Sequence, residues 1–253
     1  MNDISKTLLV SALLLLPAAG LRAQENADLQ AQDSVGVPAK EKVKVDISAD
    51  IVSHYVWRGM DEGNVSLQPC FELSYKGLSL SCDGNVGLSN WKDGKELNWT
   101  LSYTVGGLTL AVIDYWLEGG SDESNRYFKY TKNTNHVFEA SVGYDFGPVA
   151  LQWYTNFAGD DGLSPSGKRA YSSYLEATAP FRLWTVDWLA TAACVPYATD
   201  YYETNGFAVT NLALRATKEI RITDSFGIPI FAEFIGNPRT EKLYFVLGIT
   251  LQP

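Results

Sequence analysis

The stretch Val43-Lys44-Val45-Asp46-Ile47-Ser48-Ala49-Asp50-Ile51-Val52-Ser53-His54-Tyr55-Val56-Trp57-Arg58 decides how the whole chain reads. Val43, Val45, Ile47, Ala49, Ile51, Ser53, Tyr55 and Trp57 fall at every second position, and Lys44, Asp46, Asp50, His54 and Arg58 fall between them. Successive side chains of an extended chain point to opposite faces, so this is a long strand with one apolar and one charged side. A helix would bring apolar residues back at three- and four-residue spacing, which the stretch does not do.

The same period continues downstream. Segment 68–75 sets Pro69, Phe71, Leu73 and Tyr75 against Gln68, Cys70, Glu72 and Ser74. Lys76-Gly77 is a two-residue turn, after which Leu78, Leu80, Cys82, Val86 and Leu88 alternate with polar residues. Further strands are expected at 95–104, 108–117, 135–146, 149–158, 169–179, 184–195, 206–219, 228–235 and 241–252, about twelve in all. One set of connectors is tight: Lys76-Gly77, Val105-Gly106-Gly107, Phe146-Gly147-Pro148 and the region of Pro180-Phe181, with a somewhat longer link from Thr223 to Gly227. The other set is mostly longer and polar: Gly59 to Val65, Asn90 to Lys95, Glu118 to Thr134, Gly159 to Lys168, Pro196 to Asn205 and Gly236 to Thr240. An even strand number with short turns at one rim and long loops at the other is the pattern of a transmembrane antiparallel up-and-down β-barrel.

Alternation alone also fits a soluble barrel with its apolar side inward. Aromatic placement separates the two. Tyr75, Tyr103, Tyr144 and Trp184 fall at the short-turn rim, and Tyr55, Trp57, Trp116, Phe157 and Tyr171 at the long-loop rim. Two aromatic girdles around an aliphatic band suit two headgroup layers, whereas a dry core has no reason to sort rings by height. Most strands also reach the ~9–11 residues that cross a bilayer at a tilt.

Composition sets the outer bounds. The 253 residues carry 20 Lys+Arg against 29 Asp+Glu, a net charge of −9, with 46% hydrophobic and 13% aromatic residues. Disorder is excluded by the apolar content, and nucleic acid as a partner by the acidic balance. Lys6 precedes the apolar run from Leu8 to Leu16, and small residues lead to Ala23, which together read as a secretory signal peptide over 1–23. Residues 24–41 read as a flexible periplasmic leader, and 42–253 as the barrel. Three cysteines, Cys70, Cys82 and Cys194, are an odd number, so a disulfide scaffold is not the design. The Lys76-Gly77 turn puts Cys70 opposite Asp83 and Cys82 opposite Phe71, on different faces, which forbids bridging.

Ser53-His54-Tyr55-Val56-Trp57-Arg58-Gly59 with Gln68-Pro69, and Gly227-Ile228-Pro229 … Asn237-Pro238 … Phe245-Val246-Leu247-Gly248-Ile249, resemble the opening and closing segments of the TorF-like porin family. The resemblance spans roughly 43–252 and implies a Gram-negative outer-membrane barrel and passage of solutes. Outer-membrane lipid and, during insertion, the barrel-assembly machinery are the implied partners. The chain departs from the usual aromatic terminal residue, ending Leu251-Gln252-Pro253. The Ala23-Gln24 junction is similar to those of Bacteroidetes.

The polar face is rich in acids. Asp46, Asp50, Glu72, Asp83, Glu139, Glu176, Asp187 and Glu233 outnumber Lys44, Arg58 and Arg215, with His54 among them. Around a wet lumen these line a channel that favours cations over anions; paired across the barrel they plug it. Twelve strands lie between filled eight-stranded barrels and open sixteen-stranded ones, so both outcomes stay open. A lipid enzyme would need a Ser–His arrangement on the outer wall. His136 is the outward histidine and has no serine and asparagine partners in phase, so no catalytic residue is assigned. No His/Cys spacing matches a zinc site, no cofactor is implied, and Gly159-Asp160-Asp161-Gly162 and Asp122-Glu123 read as solvated loop charge rather than calcium ligands. The expected function is passive diffusion of small cationic or neutral solutes. The alternative is a closed barrel serving as a structural or surface-binding protein through its loops, of which 118–134 is the longest.

Overall fold

The computed structural model describes residues 42–89, 95–119, 125–131, 133–223 and 226–252. The expected signal peptide and leader, Asp122-Glu123 and Pro253 lie outside them. The described residues form strands and no helix. They are β1 (Lys44–Val52), β2 (Tyr55–Trp57), β3 (Met60–Gly63), β4 (Ser66–Tyr75), β5 (Leu78–Gly87), β6 (Glu96–Val105) and β7 (Leu108–Leu117). There follow β8 (His136–Asp145), β9 (Ala150–Gly159), β10 (Ser173–Leu183), β11 (Val186–Val195), β12 (Ala208–Arg221), β13 (Gly227–Asn237) and β14 (Lys242–Leu251). Twelve of these close into one barrel, each antiparallel to its neighbours, with β1 between β14 and β4. β2 and β3 form a separate two-stranded sheet.

Burial is inverted relative to a water-soluble domain. Phe71, Leu101, Val112, Val142, Leu214 and Leu247 point out of the wall and stay exposed, while Asn85, Glu139, Asn156 and Thr178 point inward and are fully buried. The inward polar groups are tied across strands. Gln68 donates to Asn85 at 3.2 Å, Asn98 to Asp83 at 3.0 Å and Gln152 to Ser141 at 3.0 Å. Thr250 donates to Asp50 at 2.7 Å and Ser79 to Glu72 at 2.7 Å. Such ladders are what lets polar side chains occupy an interior without the full cost of lost hydration. The cysteine register is Cys70 opposite Asp83 and Phe71 opposite Cys82, and all three thiols are free.

Two expectations are corrected. Pro180-Phe181 is not a turn: β10 runs on to Leu183, pairing Pro180 with Leu189 and Phe181 with Trp188, and the turn is Trp184-Thr185. Proline is tolerated because β9 pairs β10 only up to Thr178, so no strand waits on the β9 side for the missing N–H.

The second correction concerns the stretch that decided the fold. β1 stops at Val52, and the chain then folds back as the β2–β3 hairpin instead of continuing up the wall. Tyr55 and Trp57, inside the lumen, are therefore not girdle residues. Tyr55 is buried with its hydroxyl on Glu96 Oε2 at 2.9 Å, and Trp57 packs on the buried cluster that contains Tyr154, Tyr174 and Tyr202. The hairpin itself turns at the Arg58-Gly59 pair, with φ +50° and +81°, which reverses the chain between Trp57 and Met60.

Gly59 is required by contact as well as by φ. A Cβ there would lie 2.0 Å from the Thr210 carbonyl oxygen of β12, and Asn237 of β13 donates to the Gly59 carbonyl at 3.0 Å. Gly59→Val is expected to lift the hairpin tip from β12, with about 1–3 kcal/mol from the backbone conformation alone. Limited proteolysis within 53–65 should accelerate while the gel mobility of the closed barrel is unchanged.

Candidate functional site: the hairpin plug and the acidic lumen

Arg58, at the hairpin tip, is the centre of the lumen. Its Nη1 donates to Glu139 Oε2 at 2.7 Å and to the Tyr202 hydroxyl at 2.6 Å, and its Nη2 donates to Glu139 Oε1 at 2.9 Å. Tyr115 donates to the same Glu139 Oε1 at 3.0 Å. The guanidinium carbon lies 4.5, 4.2 and 4.6 Å from the ring centroids of Trp57, Tyr154 and Tyr174. Only 8% of the Arg58 side chain and none of Glu139 is exposed. Two charges removed from water this far are tolerable only when each is saturated, and the planar fork of arginine matches a carboxylate edge on. Aromatic faces supply the rest of the solvation of the cation.

The hairpin touches both halves of the wall. On one side Trp57 and Met60 pack against Ile113, Tyr154, Tyr174, Val195 and Tyr202. On the other Val56 packs against Val52, Phe231, Ile235 and Val246. Trp57 stacks on Tyr202 at 6.3 Å and meets Tyr115 edge-on at 5.8 Å. Tyr201 and Tyr202 come from the β11–β12 loop, so two loops enter the barrel from the long-loop rim and meet. The lumen is plugged at that level.

The expected lining residues divide accordingly. Arg58 and Glu139 build the plug. His54 lies at the hairpin base, with Nε2 2.9 Å from Asp61 Oδ1. Asp50, Asp83 and Glu176 sit on inward strand positions, each with a neutral partner: Thr250, Asn98 and Tyr174, the last at 3.2 Å. Arg215 and Glu233 form an ion pair at 2.7 Å. Asp187, near the short-turn rim, lies 3.6 Å from Arg182. Asp46 and Glu72 are opposite one another on β1 and β4. Among the described residues, Asp50, Asp83 and Glu176 thus take their hydrogen bonds from neutral side chains. Of the nine expected girdle residues, Tyr75, Tyr103, Tyr144 and Phe157 are exposed on wall strands, Tyr171 and Trp184 are exposed in the loop before β10 and the turn after it, and Trp116 is half-buried against Tyr127.

Residues that the alternation did not single out carry the plug: Tyr115, Tyr154, Tyr174, Tyr202 and Asn237. Three of them left a trace. Tyr115, Tyr154 and Tyr174 occupy the polar phase of their strands, Tyr154 between Gln152 and Asn156. Large rings on a lumenal face have to pack against something.

Outside the wall, His136 is 1% exposed. Its Nδ1 is 2.7 Å from Asp114 Oδ1 and its Nε2 2.5 Å from the Tyr127 carbonyl, while Tyr130 stacks on the ring at 4.3 Å. Both nitrogens are committed to acceptors, which leaves neither to activate a serine. Its role is to clasp residues 127–130 to the wall. Asp161 is equally committed: it accepts from the N–H of Tyr171 at 2.7 Å and of Ser172 at 3.2 Å, and so folds its own loop. No cluster of potential metal ligands occurs among the described residues.

No sequence-family model matches the chain, and no curated protein does. Among solved structures it is similar to the NanC porin, with a TM-score of 0.42 and 10% identity over 82% of this chain and 98% of that one. It is also similar to Salmonella typhi OmpF in complex with daunomycin, with a TM-score of 0.35 and 9% identity over 84% and 98%. A third is an outer-membrane channel from Pseudomonas putida F1, with a TM-score of 0.36 and 11% identity over 86% and 98%. The barrel itself rests on the strand pairing described above.

Glu139→Gln leaves the Arg58 cation buried without its counter-charge and is expected to cost about 3–5 kcal/mol. The double replacement Arg58→Met with Glu139→Leu should recover most of that loss. Urea unfolding in detergent micelles measures both. His136→Ala should speed tryptic cleavage at Arg126 and Lys129 without changing barrel stability.

Proposed function

We propose that the chain is an outer-membrane β-barrel channel for passive diffusion of small cationic or neutral solutes, with no catalytic chemistry. The observation that supports this best is the inverted burial: an aliphatic exterior flanked by exposed aromatic rings, around an interior of hydrogen-bonded polar and acidic groups. A closed ladder leaves no free strand edge, which is the condition for placing a sheet in hydrocarbon. Lumenal carboxylates held by neutral hydrogen-bond partners, Asp50, Asp83 and Glu176, give the interior an acidic lining, the basis for preferring cations. In this reading residues 1–23 direct export, the barrel-assembly machinery inserts the chain, and the family it joins is the TorF-like one that its two ends resemble.

The plug gives the reading its particular form. Passage requires the β2–β3 hairpin to move, and what holds it is the Arg58–Glu139 pair with its aromatic surround. The same observation favours a second reading, a barrel that stays shut and acts through its loops. In planar bilayers the channel reading expects rare, small, cation-favouring openings from the wild type and openings several-fold more frequent from Arg58→Ser. Silence from both, with insertion verified, would leave the closed barrel. Lipid embedding is tested separately. Leu101→Arg, on the outer wall, should weaken folding into vesicles by about 2–4 kcal/mol near mid-bilayer, whereas a wall facing water would tolerate it.

A further inference from the structure

Above the plug, at the long-loop mouth, lies a cavity of about 350 Å³. The hairpin (Trp57, Asp61 and Glu62), the β11–β12 loop (Tyr201, Tyr202 and Glu203) and the ends of wall strands enclose it. We propose that this cavity is a binding site for a small organic ammonium ion carrying an apolar group, held by carboxylates at one end and by aromatic faces along its length. The proposal goes beyond the channel reading, because binding here requires no passage through the plug.

Two independent features support it. The first is the charge balance. Glu62, Glu96 and Glu203 line the cavity, whereas Lys242 is the one basic residue lining it among the described residues. Glu62 has no basic partner there, and burial together with neighbouring Asp61 holds its carboxyl up at about 7, as expected of an acid lacking a counter-cation. Glu96 is met by the neutral Tyr55 hydroxyl. Asp61 and Asp200 also line the cavity but are engaged, Asp61 with His54 and Asp200 with the Leu163 N–H.

The second feature is the wall material. Trp57, Tyr115, Tyr201, Tyr202 and Tyr244 all border the space. Rings and carboxylates together are how proteins solvate an organic cation: the ring faces attract the charge, and a carboxylate accepts its N–H groups. The volume falls in the range of small-ligand pockets.

The test is calorimetric titration of the folded full chain in detergent with phenethylamine, and with 2-phenylethanol and phenylacetate as neutral and anionic counterparts of the same size. Phenethylamine should bind about tenfold or more tightly than 2-phenylethanol, and phenylacetate should not bind. Glu62→Gln and Glu96→Gln should each weaken the amine by about tenfold while leaving the weak alcohol binding unchanged; either variant suffices if the other fails to fold. Equal binding of amine and alcohol, preference for phenylacetate through Lys242, no binding at all, or amine binding indifferent to both substitutions would each overturn the site. Because detergent removes any compartment to conduct between, a silent planar bilayer bears on the channel and not on this result.

Discussion

β1 meets β14 over four residue pairs, Ala49 to Val52 against Leu251 to Gly248, and this short seam removes both free edges of a twelve-stranded sheet. An open edge carries a row of unpaired N–H and C=O groups, intolerable in an apolar surround and an aggregation risk in water. Just past the seam, the Ser53 N–H bonds the Leu247 carbonyl at 2.8 Å and its hydroxyl accepts the Leu247 N–H at 2.9 Å. The side chain thus takes over the ladder where the strand ends. From that point the chain is free to leave the wall, and it turns inward.

The plug is a consequence of closing a barrel of this size. Twelve strands enclose more space than their own inward side chains fill, so something must occupy the middle or water must. Here a hairpin occupies it on the long-loop side, anchored by an ion pair that is costly to bury and therefore surrounded by four phenols and an indole. Buried pairs of this type add little net stability against an apolar replacement, but they discriminate strongly against a misplaced partner. Arg58 fits one place in the lumen, opposite Glu139. That fixes the hairpin in one defined position.

The lumen therefore has two electrostatic regimes. Beneath the hairpin, Asp50, Asp83 and Glu176 face inward with neutral hydrogen-bond partners. Above it, carboxylates meet aromatic walls in an enclosed cavity. The aromatic compartment lies on the loop side, and the Arg58–Glu139 pair lies beneath it. The outer wall is independent of both: His136 and Asp114 spend their polar atoms on clasping a loop, and the Cys82 thiol is one more small group on the apolar face.

Periodicity by itself determined the wall. Alternation specifies which side chains share a face, and the tight turns at Lys76-Gly77 and Gly106-Gly107 set the register, so strand number, orientation and the Cys70–Asp83 pairing could all be read locally. The same local rule misread Tyr55 and Trp57, because a strand inside the lumen alternates as faithfully as one in the wall. Whether the chain continues upward or folds back at Val52 depends on Glu139, Tyr202, Thr210 and Asn237, which lie 81 to 178 residues away from the Arg58 or Gly59 they touch and contribute nothing to local pattern. Only the tertiary structure brings those groups to one height in the barrel, and desolvated charge pairing, which acts through space, is what selects the inward path.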